Sequence, residues 1–127
     1  MNIALDMMGG DFAPLEAVKG AMMYFSEVHD PAHLLLIGDE AQLQSLIELY
    51  PLRSGYFTII HAAEVINMHE HPTKALKEKQ HSSIAIGFHL LASGKADAFI
   101  SAGNTGAMLV GALYSIKPIE GVSRPTI

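Results

Sequence analysis

Apolar residues fall along this chain in two alternating rhythms. Short, mostly apolar runs at 2–5, 34–37, 56–60 and 97–100 predict four strands buried on both faces. Between the runs, apolar residues recur every three or four positions. Leu15, Val18, Met22, Phe25 and Val28 form one such stripe, behind Pro14 at a first helical position where a missing N–H costs nothing. Leu43, Leu46, Ile47 and Tyr50 form a second, with Asp39 as its N-cap and Pro51 as its stop. Pro72 opens a helical stretch to about Lys79. Ser82 or Ser83 caps a further helix through Ser93, with Gly94 at its end, and a last helix begins at Thr105. Strands alternating with helices predict an α/β fold, a mostly parallel sheet with helices on both faces. No repeat, low-complexity tract or linker interrupts the pattern, so residues 1–127 read as a single α/β region.

In sheets of this kind, ligands sit beyond the carboxyl ends of the strands, where successive connections leave in opposite directions. Two glycine-bearing loops follow strands here. Gly9-Gly10 comes after the first, and Ser-Ala-Gly-Asn-Thr-Gly-Ala at 101–107 comes after the fourth. Gly103 and Gly106 permit close backbone approach, Asn104 and Thr105 add side-chain donors, and a helix N-terminus carries unpaired N–H groups and partial positive charge. Phosphate is the natural anion for such a turn. The plainer reading is a simple turn with Thr105 as N-cap. Local pattern alone leaves both open.

Half of the residues are apolar and only 17 % are charged, which is rich for a small domain. Either helices cover both faces of the sheet or part of the apolar surface meets something absent from this chain. Residues 122–127 read as a loop entering another strand at 125–127, which favours the second option and an N-terminal portion of a longer protein. A net charge of −5, with no basic patch, counts against nucleic-acid binding. The absence of cysteine excludes a disulfide framework, a thiolate metal site and a cysteine nucleophile from this segment. The N-terminus lacks a secretory pattern, and the longest apolar run, 106–116, falls short of the about 18–20 residues a membrane span needs. A cytoplasmic protein is expected. His61, His69, His71 and His81 carry no metal-ligand spacing, so no metal is expected. Met22, Met23 and Met108 fall on helical faces and read as core filler.

Three ordered motifs carry a resemblance. Asp6-Met7-Met8-Gly9-Gly10-Asp11-Phe12-Ala13-Pro14 resembles the Asp-x-Met-Gly-Gly-Asp-x-Ala-Pro opening of the bacterial phosphate acyltransferases of phospholipid synthesis, the PlsX family. Val65-Ile66-x-Met68, Pro72, Ala75, Lys79 and Ser82-Ser83 match its middle pattern. The 101–107 stretch matches its Ser-Ala-Gly-Asn-Thr-Gly-Ala signature, followed by Arg124-Pro125. The matches run along nearly the whole chain. Met7, Phe12 and Gln80-His81 depart from the family pattern, and no role is carried over to positions 12, 80 and 81.

The resemblance implies an enzyme that converts acyl-acyl-carrier-protein and inorganic phosphate to acyl phosphate, without cofactor or metal. It also implies a fold similar to isopropylmalate dehydrogenases and phosphotransacetylases, with two lobes, a homodimer and peripheral membrane association. Hydrogen phosphate is already anionic, so the work is positioning and oxyanion stabilisation. On this reading Asn104, Lys79 and Asp11 are the catalytic candidates. Gly9, Gly10, Ser82, Ser83, Ser101, Gly103, Thr105 and Gly106 line the phosphate and substrate site. Structural readings stand beside these: Ser82 and Ser83 as helix caps, Lys79 as a solvated lysine, and Asp11 as a cap for the helix at Pro14. Lys74 and Lys77, three apart on one helix face, read as a solvated face or as part of a docking patch for the acidic carrier protein. Other readings on the same fold are a phosphotransacetylase, a dehydrogenase, or a non-catalytic phosphate-binding fragment.

Overall fold

The computed structural model describes residues 1–126. Four strands, β1 (Asn2–Asp6), β2 (His33–Gly38), β3 (Phe57–His61) and β4 (Ala98–Ile100), pair in the order β3-β2-β1-β4. All three pairings are parallel. Among the described residues five helices accompany the sheet: α1 (Leu15–Glu27), α2 (Glu40–Leu49), α3 (Pro72–Glu78), α4 (Ser83–Ala92) and α5 (Thr105–Ser115).

Alternation along β2 divides its side chains between two cores. Leu34 and Leu36, with Ile3 and Leu5 of β1, pack beneath Val18, Ala21 and Phe25 of α1 and Leu43 of α2. Leu35 and Ile37, with Ala4, face the opposite way onto Leu90 and Ile86 of α4. Each fully buried leucine or isoleucine contributes about 1.5–3 kcal/mol, which is why an unbroken apolar run settles here with both sides covered. A third cluster joins Ala75 of α3, Ile84 and Phe88 of α4 and Ala107 of α5. The Phe88 ring meets the Phe99 ring edge-on at 5.1 Å.

Two glycines set how closely these layers approach. A methyl group on Gly87 would enter the Phe99 ring, and one on Gly111 would enter the Phe88 ring. Helices α1 and α2 thus lie on one face of the sheet, while α3, α4 and α5 pack together on the other. Strands β1 and β4 are neighbours, yet the chain leaves β1 towards the first face and β4 towards the second. That reversal places a crevice at their carboxyl ends.

Several predicted boundaries shift. Asp6 belongs to β1, whereas Asp97 precedes β4 and accepts the Asn2 N–H at 2.7 Å. Pro14 sits at the N-cap of α1, one residue earlier than expected, and no side chain caps that end. Asn104, not Thr105, caps α5, because its Oδ1 reaches the Ala107 N–H at 2.9 Å. Asp39 caps α2 as expected, accepting from Gln42 N–H. Met22 and Met108 pack against the cores, but Met23 is exposed. Pro125 and Thr126 lie outside any strand, and Ile127, the end of the further strand expected there, falls outside the described residues.

Candidate functional site

Parallel register builds the first half of the site. Leu5 pairs with Ile100, so the next residues along, Asp6 and Ser101, leave their strands side by side. Asp6 is 3 % exposed. Ser101 Oγ donates to Asp6 Oδ2 at 2.6 Å and accepts the Gly103 N–H at 3.0 Å, while Met8 N–H donates to Asp6 Oδ1 at 2.9 Å. The glycine loops touch directly above this pair. A Cβ built on Gly9 would stand 2.6 Å from the Gly103 nitrogen and 2.6 Å from Asp6 Oδ2. Gly10 has a φ of +106°, a backbone region that side chains disfavour, and it lies against Ala102. Among the described residues, the N–H groups of Gly9, Gly10, Thr105 and Gly106 find no protein acceptor.

The second half is a clasp around residues 64–71. Asn104 is 4 % exposed, and its Nδ2 donates to the carbonyls of Asn67 at 2.9 Å, Glu70 at 3.2 Å and Met68 at 3.4 Å. Its oxygen is the α5 cap, so both ends of this buried amide are engaged. Lys79 Nζ donates to Val65 O and to Glu70 Oε2, both at 2.7 Å. That lysine bond, foremost, and the Asn67 N–H bond hold the Glu70 carboxyl below the usual carboxylate range. Ser82 is fully buried and caps α4 by accepting the Ala85 N–H at 3.2 Å. Ser83 begins that helix, its N–H bonded to Glu64 O, and the Glu64 side chain accepts the His81 N–H. Gly106 allows α5 to meet α3, for a Cβ there would lie 2.5 Å from Pro72 Cγ.

The predicted site residues therefore divide between two clusters linked by the Gly103-Asn104 peptide. Gly9, Gly10, Ser101 and Gly103 gather at the crevice. Lys79, Ser82, Ser83, Asn104 and Gly106 gather at the clasp, where side chains serve the 64–71 loop and the helix starts. Thr105, at the α5 start, and Asp11 are exposed. Asp11 makes no helix cap; it lines, with Gly9 and Gly10, a groove of about 510 Å³. Apolar side chains of Ile3, Leu5, Leu34 and Ile100 floor that groove, and Ile100 is 53 % exposed. Glu70 and Asp6 were missed as participants. Asp6 carried one signal, a charged residue at the carboxyl end of a buried strand. Glu70 carried none, since its role depends on a lysine across the loop. Among the described residues, no three His, Asp or Glu side chains converge as a metal site, and no helix is long and apolar enough to cross a membrane.

An open parallel sheet with glycine loops in contact over its reversal point defines an α/β protein with a crevice at the strand ends, the place where folds of this class take ligands. All 127 residues match the family model described as fatty acid synthesis protein, and the chain belongs to that family. The phosphate acyltransferase of Dictyoglomus turgidum is 45 % identical over 127 residues, and that of Dictyoglomus thermophilum 46 %. The phosphate acyltransferase of Endomicrobium trichonymphae is 47 % identical over 131 residues. Each alignment covers all of this chain but only 37–38 % of the relative, so the chain spans little more than a third of their length.

Proposed function

We propose that this chain forms the phosphate-handling part of an enzyme that converts acyl-[acyl-carrier-protein] and inorganic phosphate to acyl phosphate. A phosphate oxygen attacks the thioester carbonyl, the C–O bond forms, the C–S bond breaks, and the proton of hydrogen phosphate passes to the departing carrier thiol. The observation that carries this reading is the contact of Gly9 with Gly103 at the strand ends, beside N–H groups left without acceptors. Family membership and the names of the relatives support it.

In this reading Thr105 and Gly106 give backbone donors, and Gly9, Gly10, Gly103 and Ser101 shape the space. Ser82, Ser83 and Asn104 hold the helix starts that frame it. Lys79 is the cation of this reading; its Nζ is held by Val65 O and Glu70, and it serves phosphate by turning from Glu70 towards the substrate. Asp11 orients a substrate group at the groove mouth. Preorganised donors of this kind typically supply about 100–1000-fold each in rate. Residues 1–127 are then one α/β region in the N-terminal part of a two-lobed homodimer that works in the cytoplasm and meets the membrane peripherally.

The natural-length protein is incubated with phosphate and either acyl-[acyl-carrier-protein] or acyl-coenzyme A, and acyl phosphate is trapped with hydroxylamine. Acyl hydroxamate from the carrier-protein thioester supports the reading. Hydroxamate from the coenzyme A thioester alone points to a phosphotransacetylase, and none from either overturns it.

A further inference from the structure

We infer that Asp6 is a positioning residue for phosphate, acting through Ser101 on the turn that starts α5; this rests on the phosphate reading proposed above. Four polar residues are buried among the described residues: Asp6, Ser82, Ser83 and Asn104. The last three stand at helix starts, where Ser82 and Asn104 are side-chain caps and the Ser83 N–H is bonded. Asp6 caps nothing and pairs with no cation, although burying a carboxylate is costly unless it is compensated.

Its chemistry explains what a neutral residue would not do. An ionised carboxylate only accepts, so the hydroxyl 2.6 Å away must donate to it. Once that proton is committed, Ser101 Oγ faces Gly103 as an acceptor and takes the Gly103 N–H at 3.0 Å. The direction of the whole chain, Gly103 to Ser101 to Asp6, is thus set from the carboxylate end. The Gly103 N–H is drawn inward, and among the described residues the N–H groups of Asn104, Thr105 and Gly106 remain unclaimed at the α5 start. The turn has little room to settle elsewhere, because a Cβ on Gly103 would lie 3.1 Å from Ser101 Oγ and 3.3 Å from Asp6 Oδ2. An asparagine at position 6 could present its amide nitrogen to Ser101 instead. The serine would then accept from it, and its own proton would be free to point elsewhere.

The test is an amide-detected NMR titration of the natural-length protein with inorganic phosphate. Wild type, Asp6→Asn, Ser101→Ala and the double variant are compared, with melting temperatures measured beside them. Phosphate is expected to shift the Thr105 and Gly106 amides in the wild type. Each single variant is expected to weaken phosphate binding about ten-fold, in line with the steep cost of sub-ångström misplacement. The double variant should be no weaker than the weaker single, because both act on one chain of bonds. Ser101→Thr, which keeps the hydroxyl, should recover most of the affinity of Ser101→Ala. If phosphate leaves both wild-type amides unmoved, the phosphate reading itself fails. If the amides move in the wild type and the variants bind phosphate equally well, only the role of Asp6 fails. A lowered melting temperature with unchanged phosphate affinity likewise overturns it, and Ser101→Ala decides the matter should Asp6→Asn not fold.

Discussion

Alanine at position 9 tests the contact that joins the two glycine loops. The new Cβ would stand 2.6 Å from the Gly103 nitrogen, 3.0 Å from the Gly103 Cα and 2.6 Å from Asp6 Oδ2. Ordinary contact begins near 3.4 Å, so the loops must part by roughly 0.8 Å. Two of the three atoms are backbone, and the third belongs to a carboxylate tied to Met8 and Ser101. None can swing aside. Gly9 lacks a positive φ, so the cost of alanine is steric rather than conformational. Overpacking of this kind costs about 1–3 kcal/mol, against about 0.4–1 kcal/mol regained by restricting the unfolded chain. Gly9→Ala should therefore destabilise by about 1–2 kcal/mol and displace the Gly103 turn. Urea unfolding measures the first effect and phosphate titration the second. Gly20→Ala is the control, since a Cβ there meets nothing within 4 Å inside a helix, and it should stabilise by about 0.5–1 kcal/mol. Gly9→Ala with wild-type stability and wild-type phosphate affinity would refute the contact.

Asn104→Ala removes a cap and three carbonyl contacts, so it should destabilise by about 1–3 kcal/mol and lower turnover; unchanged urea midpoints would deny the clasp. Asn104→Asp keeps the cap acceptor but turns a carboxylate oxygen towards the carbonyls of Asn67, Met68 and Glu70, so it should not rescue stability. Because the Glu70 carboxyl is held below its ordinary value of 4.5, the Lys79–Glu70 bond adds stability that is fully present above that pH. The contribution fades as pH falls from 4.5 through the lowered folded value, and the protection factor of the Asn67 amide, the exchange rate corrected for its intrinsic pH dependence, should fall over that window. Glu70→Gln should abolish this acid step, and a step that persists would place its origin elsewhere. Gly87→Ala and Gly111→Ala should each destabilise by about 1–3 kcal/mol by pushing Phe99 and Phe88 from the shared core, read as a lower urea midpoint.

Legibility in the sequence followed the range of each interaction. Strand β2, the Asp39 cap and a serine cap at Ser82 or Ser83 are readable because their causes lie within a few residues: an apolar run, or a side chain reaching three residues ahead. That the two glycine loops share one end of the sheet also followed, since both come after parallel strands. What they touch did not follow. Asp6 and Ser101 are 95 residues apart and meet only because of the β1–β4 register. Asn104 binds carbonyls 34 to 37 residues earlier, so its local appearance as a turn donor concealed a clasp. Gly106 read as a phosphate glycine, yet its clearance from Pro72 is a packing demand that no local pattern announces.

These packing demands change what the glycine motif means. Gly103 is needed against Gly9 and Ser101, and Gly106 against Pro72, whether or not an anion binds. Glycine content by itself is therefore accounted for by the fold, and the case for phosphate moves to the backbone donors. Of the turn's N–H groups, Gly103 is taken by Ser101 and Ala107 by Asn104. Asn104, Thr105 and Gly106 between them remain unclaimed among the described residues, and the last two are adjacent on the first turn of α5, where the helix dipole favours negative charge. The same bonds that consume the inner donors fix the outer pair without using any side chain that substrate must displace. Asn104 and Lys79 differ in this respect, for Asn104 Nδ2 and Lys79 Nζ are both already bound to protein oxygens. On the phosphate reading proposed above, an anion at this turn would therefore be held first by backbone, with side chains setting the turn's shape.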